Sequence, residues 1–276
     1  MDYSGWALYC DLDGSLLNSK GEVTQKTRRA LDAFVSGGGL FGLCTGRATQ
    51  NALLRVPGIR INAPSVVFNG AAAYDYEKKT YLHLQLLDKT AAMPGVMWGV
   101  ANFPRVDAQV YTPDEILYVS TQAHVDVDFL AIHQPCRFVR AQDIANLDWV
   151  KCLFYGKGEA LAQIERHALE CGLAARMELV HSATDIAEGA KYLEFVPLHA
   201  SKGRAIALLR GLDALRGRKI AGFGDYYNDI DFLQAADYAF APQTALPEVK
   251  AIAHAIVPNN NEDPVCDIVR TLNDLT

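Results

Sequence analysis

The chain has 276 residues, a formal net charge of −6 and 50% hydrophobic residues, ordinary globular proportions that exclude a chain disordered as a whole. Lys and Arg number 26 against 32 Asp and Glu, without a long basic run, and no apolar run reaches the roughly 18 residues of a membrane span, so neither nucleic acid nor membrane is expected as a partner. No basic region followed by a long apolar stretch opens the sequence, and none of the 6 cysteines forms a C-x-x-C pair, which together predict a reducing, cytoplasmic setting.

At about 150 residues per domain, two domains, or one large one, are expected. Trp6–Cys10 reads as a short buried strand that stops at an acidic loop. Thr24 to Val35 follows as a helix, with Thr27, Ala30, Leu31 and Phe34 at helical spacing. Gly37-Gly38-Gly39 ends it before a second strand, Leu40–Cys44. Ala48 to Leu54 is helical and stops at Pro57-Gly58, and Ser65–Phe68 is a third strand ended by Asn69-Gly70. Strands alternating with helices imply a parallel sheet, because each crossover helix covers a sheet face. From about Tyr81 to about Gly189 the pattern changes. Strands are expected at Tyr81–Leu86, Arg105–Tyr111, Ile116–Ser120, Trp149–Tyr155 and Arg176–His181, with helices at Thr90–Asn102 and Glu159–Cys171. Several of these strands alternate, which suits a sheet covered on one face and open on the other. Tyr192–Val196 is expected to resume the first sheet, followed by helices at Lys202–Leu212, Ile230–Ala235 and Ala245–Ala253 and strands at Lys219–Phe223 and Tyr238–Ala241. The fold class is α/β: a Rossmann-like parallel sheet core of residues 1–79 and 191–276, with an inserted α+β domain over 80–190.

Four motifs fall where these elements end. Asp11-Leu12-Asp13-Gly14-Ser15 follows the first strand. Ligands bind at the carboxyl ends of parallel strands, and extended residues two apart face the same way. Like charges this close call for a cation or a shared proton. A plain acidic turn accounts for the same letters, whereas a calcium loop is broken at Ser15-Leu16. Thr45-Gly46-Arg47 follows the second strand and could present a hydroxyl and N–H groups to an anion, or simply cap a helix. Ser201-Lys202-Gly203 opens a helix, with the lysine either a phosphate partner or solvated. Gly224-Asp225-Tyr226-Tyr227-Asn228-Asp229 follows the strand ending at Phe223 and offers oxygen ligands suited to magnesium, or an acidic helix start. Singly each has a bland reading; together, at the loop end of one sheet, they point to an active site. Gly37-x-Gly39-x-x-Gly42 spells the dinucleotide fingerprint but precedes a strand, so it reads as a helix stop.

The four motifs, in this order, resemble those of the haloacid dehalogenase superfamily of phosphohydrolases, and specifically its Cof-type branch, which inserts a large α/β cap between the second and third motifs. Asp11 to Ser15 matches D-x-D-G-[TS], Thr45 the second-motif hydroxyl, Lys202 the third-motif lysine, Gly224-Asp225…Asn228-Asp229 the G-D-x-x-N-D run, and Asn69-Gly70 the N-G before the cap. Ser15 replaces the commoner Thr, Thr244 stands where many relatives have Asn, and Pro264 where many have Gly. The resemblance implies a magnesium-dependent phosphomonoester hydrolase of small phosphorylated metabolites, with sugar phosphates the leading class. Asp11 would attack phosphorus to give an aspartyl phosphate; Asp13 would protonate the leaving alcohol and then activate water. Mg2+ would sit on the Asp11 carboxylate, the Asp13 backbone carbonyl and Asp225, with Asp229 in support. Ser15, Thr45, Gly46, Asn228 and Lys202 would bind the phosphoryl oxygens, Lys202 also offsetting charge at Asp11. The cap would close over the site, with Asp185, Glu188 and Lys191 as candidates for selecting the leaving group. A phosphosugar mutase of the same fold and a non-catalytic phosphate-binding protein are the alternatives, and the oligomeric state stays open.

Overall fold

The computed structural model describes residues 1–119, 136–183 and 190–276, and the cap candidates Asp185 and Glu188 lie outside them. The chain divides into two compact units, residues 1–83 with 201–276, and residues 84–200. Its strands are β1 (Trp6–Cys10), β2 (Leu40–Leu43), β3 (Ser65–Val67), β4 (Ala72–Asp75), β5 (Thr80–Leu84), β6 (Asp107–Tyr111), β7 (Ile116–Tyr118), β8 (Cys136–Phe138), β9 (Lys151–Lys157), β10 (Met177–Ala183), β11 (Ala190–Pro197), β12 (Lys219–Phe223), β13 (Tyr238–Pro242) and β14 (Ala255–Val257). The α-helices are α1 (Gln25–Ser36), α2 (Thr49–Arg55), α3 (Lys89–Asn102), α4 (Gly158–Glu170), α5 (Lys202–Arg210), α6 (Ile230–Ala235), α7 (Pro247–Ile252) and α8 (Pro264–Asp274). None of these helices is long and apolar enough to cross a membrane.

The first unit is built on a sheet of order β14-β13-β12-β1-β2, with every pairing parallel. Alternation along β1 sends Trp6, Leu8 and Cys10 into one apolar layer and Ala7 and Tyr9 into another. The first layer takes Leu31 and Phe34 of α1 and Val265, Ile268 and Leu272 of α8; the second takes Ile206 and Leu209 of α5, Phe232 and Leu233 of α6 and Val249 of α7. A helix can enter each layer because its apolar residues recur at helical spacing. Each fully buried Leu or Phe contributes about 1.5–3 kcal/mol relative to exposure, so Phe34→Ala is a change expected to loosen α1. Thr24 caps α1 by accepting from the Thr27 N–H at 3.1 Å.

The glycines that spell a dinucleotide fingerprint serve packing. A Cβ on Gly37 would meet the Tyr3 ring at 2.7 Å, one on Gly39 the Phe34 ring at 2.5 Å, and one on Gly42 the Tyr9 ring at 2.6 Å. Cys10 and Cys44 are buried free thiols, as expected.

The second unit holds a sheet of order β10-β11-β9-β6-β7-β8, antiparallel except for the β7–β8 pair. One face, with Val110, Cys152, Phe154, Leu193 and Phe195, packs with Val96 of α3 and Leu161 and Ile164 of α4. The opposite face, expected to be open, is also buried and polar: Asp107, Gln109, Tyr111, Lys151 and Glu194 have at most 4% of their surface exposed. Lys151 Nζ donates to Glu194 Oε2 at 2.6 Å and lies 4.7 Å from the centre of the Tyr111 ring.

Two expectations are corrected. The strand around Tyr192–Val196 does not resume the core sheet; it is part of β11, between β9 and β10. Its alternation of apolar Leu193 and Phe195 with charged Glu194 fits a sheet with unlike faces, whereas a core parallel strand is apolar on both. Conversely, β5, expected in the inserted domain, belongs to a three-stranded sheet of order β3-β4-β5. The breaks between units therefore fall after residues 83 and 200, not after 79 and 190.

Candidate active site

The strand register brings the motif loops of the first unit together. Cys10 pairs with Leu43 on one side and with Phe223 on the other, so the chain leaves three neighbouring strands at one level. The strand order turns back at β1, the crevice where open α/β sheets bind ligands. Asp11 donates its N–H to the Phe223 carbonyl at 2.8 Å, one last rung beyond the strand. The chain then winds through a single helical turn, Leu12–Leu16, whose buried Leu12 and Leu16 anchor it in the core. Gly14 is required there twice over: its φ is +77°, and a Cβ would meet the Asp225 carboxylate.

Lys202 is the first residue of α5, after Ser201, whose Oγ accepts from the Arg204 N–H at 3.2 Å. Its side chain has 0% exposure, and its Nζ donates to Asp11 Oδ1 at 2.8 Å and to Asp229 Oδ1 at 2.6 Å. Burial opposes the ammonium charge, but Asp11 and Asp229 outweigh it and hold Lys202 protonated well above the usual lysine value. Burial pushes Asp11 well above the usual carboxylate range; Lys202 opposes this, while Asp229, Asp225 and Asp13 add to it. Burial and then Asp229 push Asp225 up to about 7, against the hydrogen bond from Ser15. Three carboxylates thus face one ammonium. Oxygens of Asp11, Asp225 and Asp229 lie within 4.8 Å of one another, an all-oxygen set with excess negative charge that fits a hard dication.

The three acids do different work. Asp229 Oδ2 accepts from the N–H groups of Asp225 and Tyr226 at 3.0 and 3.1 Å, and its Oδ1 is held by Lys202. A Cβ on Gly224 would strike Asp229, so this loop closes only with glycine. Asp229 therefore shapes the loop and holds the lysine, while Asp11 and Asp225 are the carboxylates it presents. Ser15, expected on the phosphoryl group, is fully buried, and its Oγ instead donates to Asp225 Oδ1 at 2.8 Å.

Thr45 donates its N–H to Val66 and its Oγ1 accepts from the Arg47 N–H at 3.2 Å, which forms a tight turn around Gly46. Asn228 is tied to this region through Asn69, whose Oδ1 accepts from Asn228 Nδ2 at 3.0 Å. The Asp13 carboxylate stands apart from the acidic cluster. Arg47 grips it with two hydrogen bonds, Nε to Oδ2 and Nη2 to Oδ1, both 2.7 Å, and reaches Asn51 with Nη1. Lys191 is exposed on β11 in the second unit.

The family model of the haloacid dehalogenase-like hydrolases matches residues 8–269. The chain belongs to that family. A Bacillus subtilis relative named 5-amino-6-(5-phospho-D-ribitylamino)uracil phosphatase YwtE is 24% identical, over 95% of this chain and 96% of its own. Endoribonuclease YBEY, chloroplastic, of Arabidopsis thaliana is also 24% identical over 95% of this chain, which spans 45% of that protein, about half its length. A putative HAD/COF-like hydrolase structure from Plasmodium vivax superposes with a TM-score of 0.82 at 18% identity, covering 98% of this chain and 96% of that one, a likeness of fold.

For a haloacid dehalogenase-like hydrolase, the structure joins Asp11, Lys202, Asp225 and Asp229 directly, ties Ser15 to them, and sets Thr45, Gly46 and Asn228 around Asn69. Two residues outside the expected site belong to its contacts. Arg47 holds Asp13, and its place directly after Thr45-Gly46 was the signal. Asn69 bridges the second and fourth motifs, and its sequence cues were Asn-Gly at a strand end and the match to the N-G before the cap.

Proposed function

We propose that the chain is a magnesium-dependent phosphomonoester hydrolase of small phosphorylated metabolites, sugar phosphates foremost, working through an aspartyl phosphate. The observation that carries this is the buried Lys202 shared by Asp11 and Asp229 at the carboxyl end of β1. Lys202 holds Asp11 Oδ1, which leaves Oδ2 as the attacking oxygen. As Oδ2 bonds to phosphorus, the bond from phosphorus to the ester oxygen breaks, and Asp13 gives its proton to the departing alkoxide. Asp13 then takes a proton from water, the water oxygen bonds to phosphorus, and the bond to Asp11 breaks to release phosphate. Ester and water become alcohol and phosphate, and both aspartates return to their starting states. Lys202, Thr45, the Gly46 N–H and Asn228 would neutralise and bind the equatorial oxygens, the main stabilising effect in phosphoryl transfer. Asp11 and Asp225, backed by Asp229 and joined by the Asp13 carbonyl, would hold magnesium. Bound there, it would balance the carboxylates and draw charge from the phosphoryl oxygens.

Asp13 must leave at least part of its Arg47 clamp to meet a leaving group. The phosphatase in the name of the Bacillus subtilis relative, full-length with this chain, supports the reaction class. Release of phosphate from a panel of sugar, nucleotide and cofactor monophosphates, with magnesium and with chelator, tests the reading. Release from one or a few esters is expected, lost with chelator and lost in Asp11→Asn at an unchanged melting temperature. Activity near wild type in Asp11→Asn would overturn the nucleophile. Little release of free phosphate, with isomerisation of a sugar monophosphate that depends on a bisphosphorylated sugar as activator, would identify a mutase.

A further inference from the structure

Between β3 and β4 the chain makes a left-handed turn. Phe68, Asn69 and Gly70 take φ values of 53°, 55° and 92°. A buried aromatic rarely adopts such a backbone, which persists only where its surroundings fix it. Here three motif loops do so. The Phe68 N–H donates to the Arg47 carbonyl at 3.0 Å, and the Asn69 N–H to the Thr45 carbonyl at 3.1 Å. The Asn69 side chain lies against the Gly46 backbone, where a Cβ would come within 2.8 Å of its Oδ1 and 3.0 Å of its Nδ2. Gly70 lies against the backbone of Ser201, whose carbonyl oxygen a Cβ would meet at 2.0 Å. Asn69 Oδ1 accepts from Asn228 Nδ2 at 3.0 Å. An amide nitrogen carries two N–H groups in one plane, so giving one to Asn69 fixes the direction of the other.

We propose that Asn69 is a positioning residue that aligns the Asn228 amide and the Thr45–Gly46 turn so that their donors converge on the transferring phosphoryl group. This rests on the phosphoryl-transfer reading above. Asparagine suits the place because it tolerates the left-handed backbone and supplies an acceptor of the right length.

Asn69→Gly keeps the backbone conformation and removes the side chain; Asn69→Asp keeps both the left-handed tolerance and the acceptor. For each, the quantities to measure are kcat/KM with magnesium, inorganic phosphate affinity by calorimetry, half-saturating magnesium and melting temperature. Asn69→Gly is expected to lower kcat/KM and phosphate affinity by about 10–100-fold, the usual effect of removing a partner that orients a site ligand, with half-saturating magnesium unchanged. In an Asn228→Ala background the same change is expected to cost clearly less than in the wild type, because the share of its effect that runs through Asn228 is already gone and only the share through the Thr45–Gly46 turn remains. Equal losses in both backgrounds, or undiminished phosphate affinity in Asn69→Gly, would overturn the proposal. Should Asn69→Gly fail to fold, Asn69→Asp decides: it is expected to stay within about tenfold of wild type, and a loss as large as that of Asn228→Ala would overturn the role. If the wild-type protein hydrolyses no ester, the phosphatase reading fails by itself, and phosphate binding still tests Asn69.

Discussion

Each unit of the molecule buries a lysine. In the first, Lys202 faces Asp11 and Asp229, with Asp225 beyond them. In the second, Lys151 meets Glu194 at 2.6 Å and the face of the Tyr111 ring. Both ammonium groups have almost no exposure, yet the settings differ in charge balance. Lys151 and Glu194 set one cation against one anion. Around Lys202 the carboxylates outnumber the cation, and burial raises Asp11 and Asp225 as a result. Burying unbalanced charge opposes folding, so its presence at strand ends argues for a ligand of opposite sign. Buried ions alone do not mark a site; an unbalanced set at the mouth of a sheet does.

The largest expected effect separates the two lysines by activity. Lys202→Met removes a fixed positive charge from the proposed phosphoryl site and is expected to lower kcat/KM on the order of 10³-fold, the upper range for losing such a donor. It should also lower the melting temperature, because two buried carboxylates lose their partner. Near-wild-type turnover would break the comparison at its functional end.

Lys151→Met is expected to destabilise the protein by about 3–5 kcal/mol in denaturant unfolding, since Glu194 is left buried and unpaired. Adding Glu194→Leu should restore most of that loss. If the double variant is no more stable than the single one, the loss does not come from an unpaired Glu194.

Smaller effects come from pH. Because folding raises Asp225 from an ordinary carboxylate to about 7, the folded state binds its proton more tightly than the unfolded chain. Its contribution to stability is therefore fully present below about pH 4 and is lost as pH rises through about 7. In chelator, the melting temperature should fall over that range, apart from effects shared with Asp225→Asn. Added magnesium should raise it more at pH 8 than at pH 5. Equal stabilisation at both pH values would contradict the charge imbalance.

The finest distinction concerns Asp13, paired with Arg47 outside the cluster. Asp13→Asn is expected to lower kcat/KM for alkyl phosphates at least about tenfold more than for 4-nitrophenyl phosphate, whose leaving group needs no proton. Arg47→Gln should shift the same ratio in the same direction by less. Equal losses on both esters would remove Asp13 as the acid.

Much of this was legible in the residues. Short apolar strands ending in Asp11, Thr45 and Asp225 announce a parallel sheet with its polar groups at the loop end, because only strand ends can leave such groups near solvent. The Gly37–Gly42 spacing was set aside correctly: it precedes a strand, and its glycines make room for the rings of Tyr3, Phe34 and Tyr9. What stayed hidden was pairing. The charged Glu194 within Tyr192–Val196 fits a parallel core strand poorly, but only the hydrogen bonds to β9 and β10 place the strand in the second unit. β4 carries no β-branched residue, and the 3 residues of β14 stand alone ahead of a polar stretch, so neither stands out as a strand.

The sequence by itself determined which groups the chain has to work with: acids, a hydroxyl, a lysine and an asparagine, each fixed by local grammar at the end of an element. Tertiary structure alone decided how they divide the work. It turned Ser15 toward Asp225, closed Arg47 on Asp13, used both oxygens of Asp229 for support and set Asn69 between Gly46 and Asn228. These partners are 159 to 210 residues apart for Asn69–Asn228 and Ser15–Asp225, and 34 apart for Asp13–Arg47. Spacing along a chain governs contacts within one helix or strand; contacts between loops depend on which strands lie side by side, and that follows from packing the whole core.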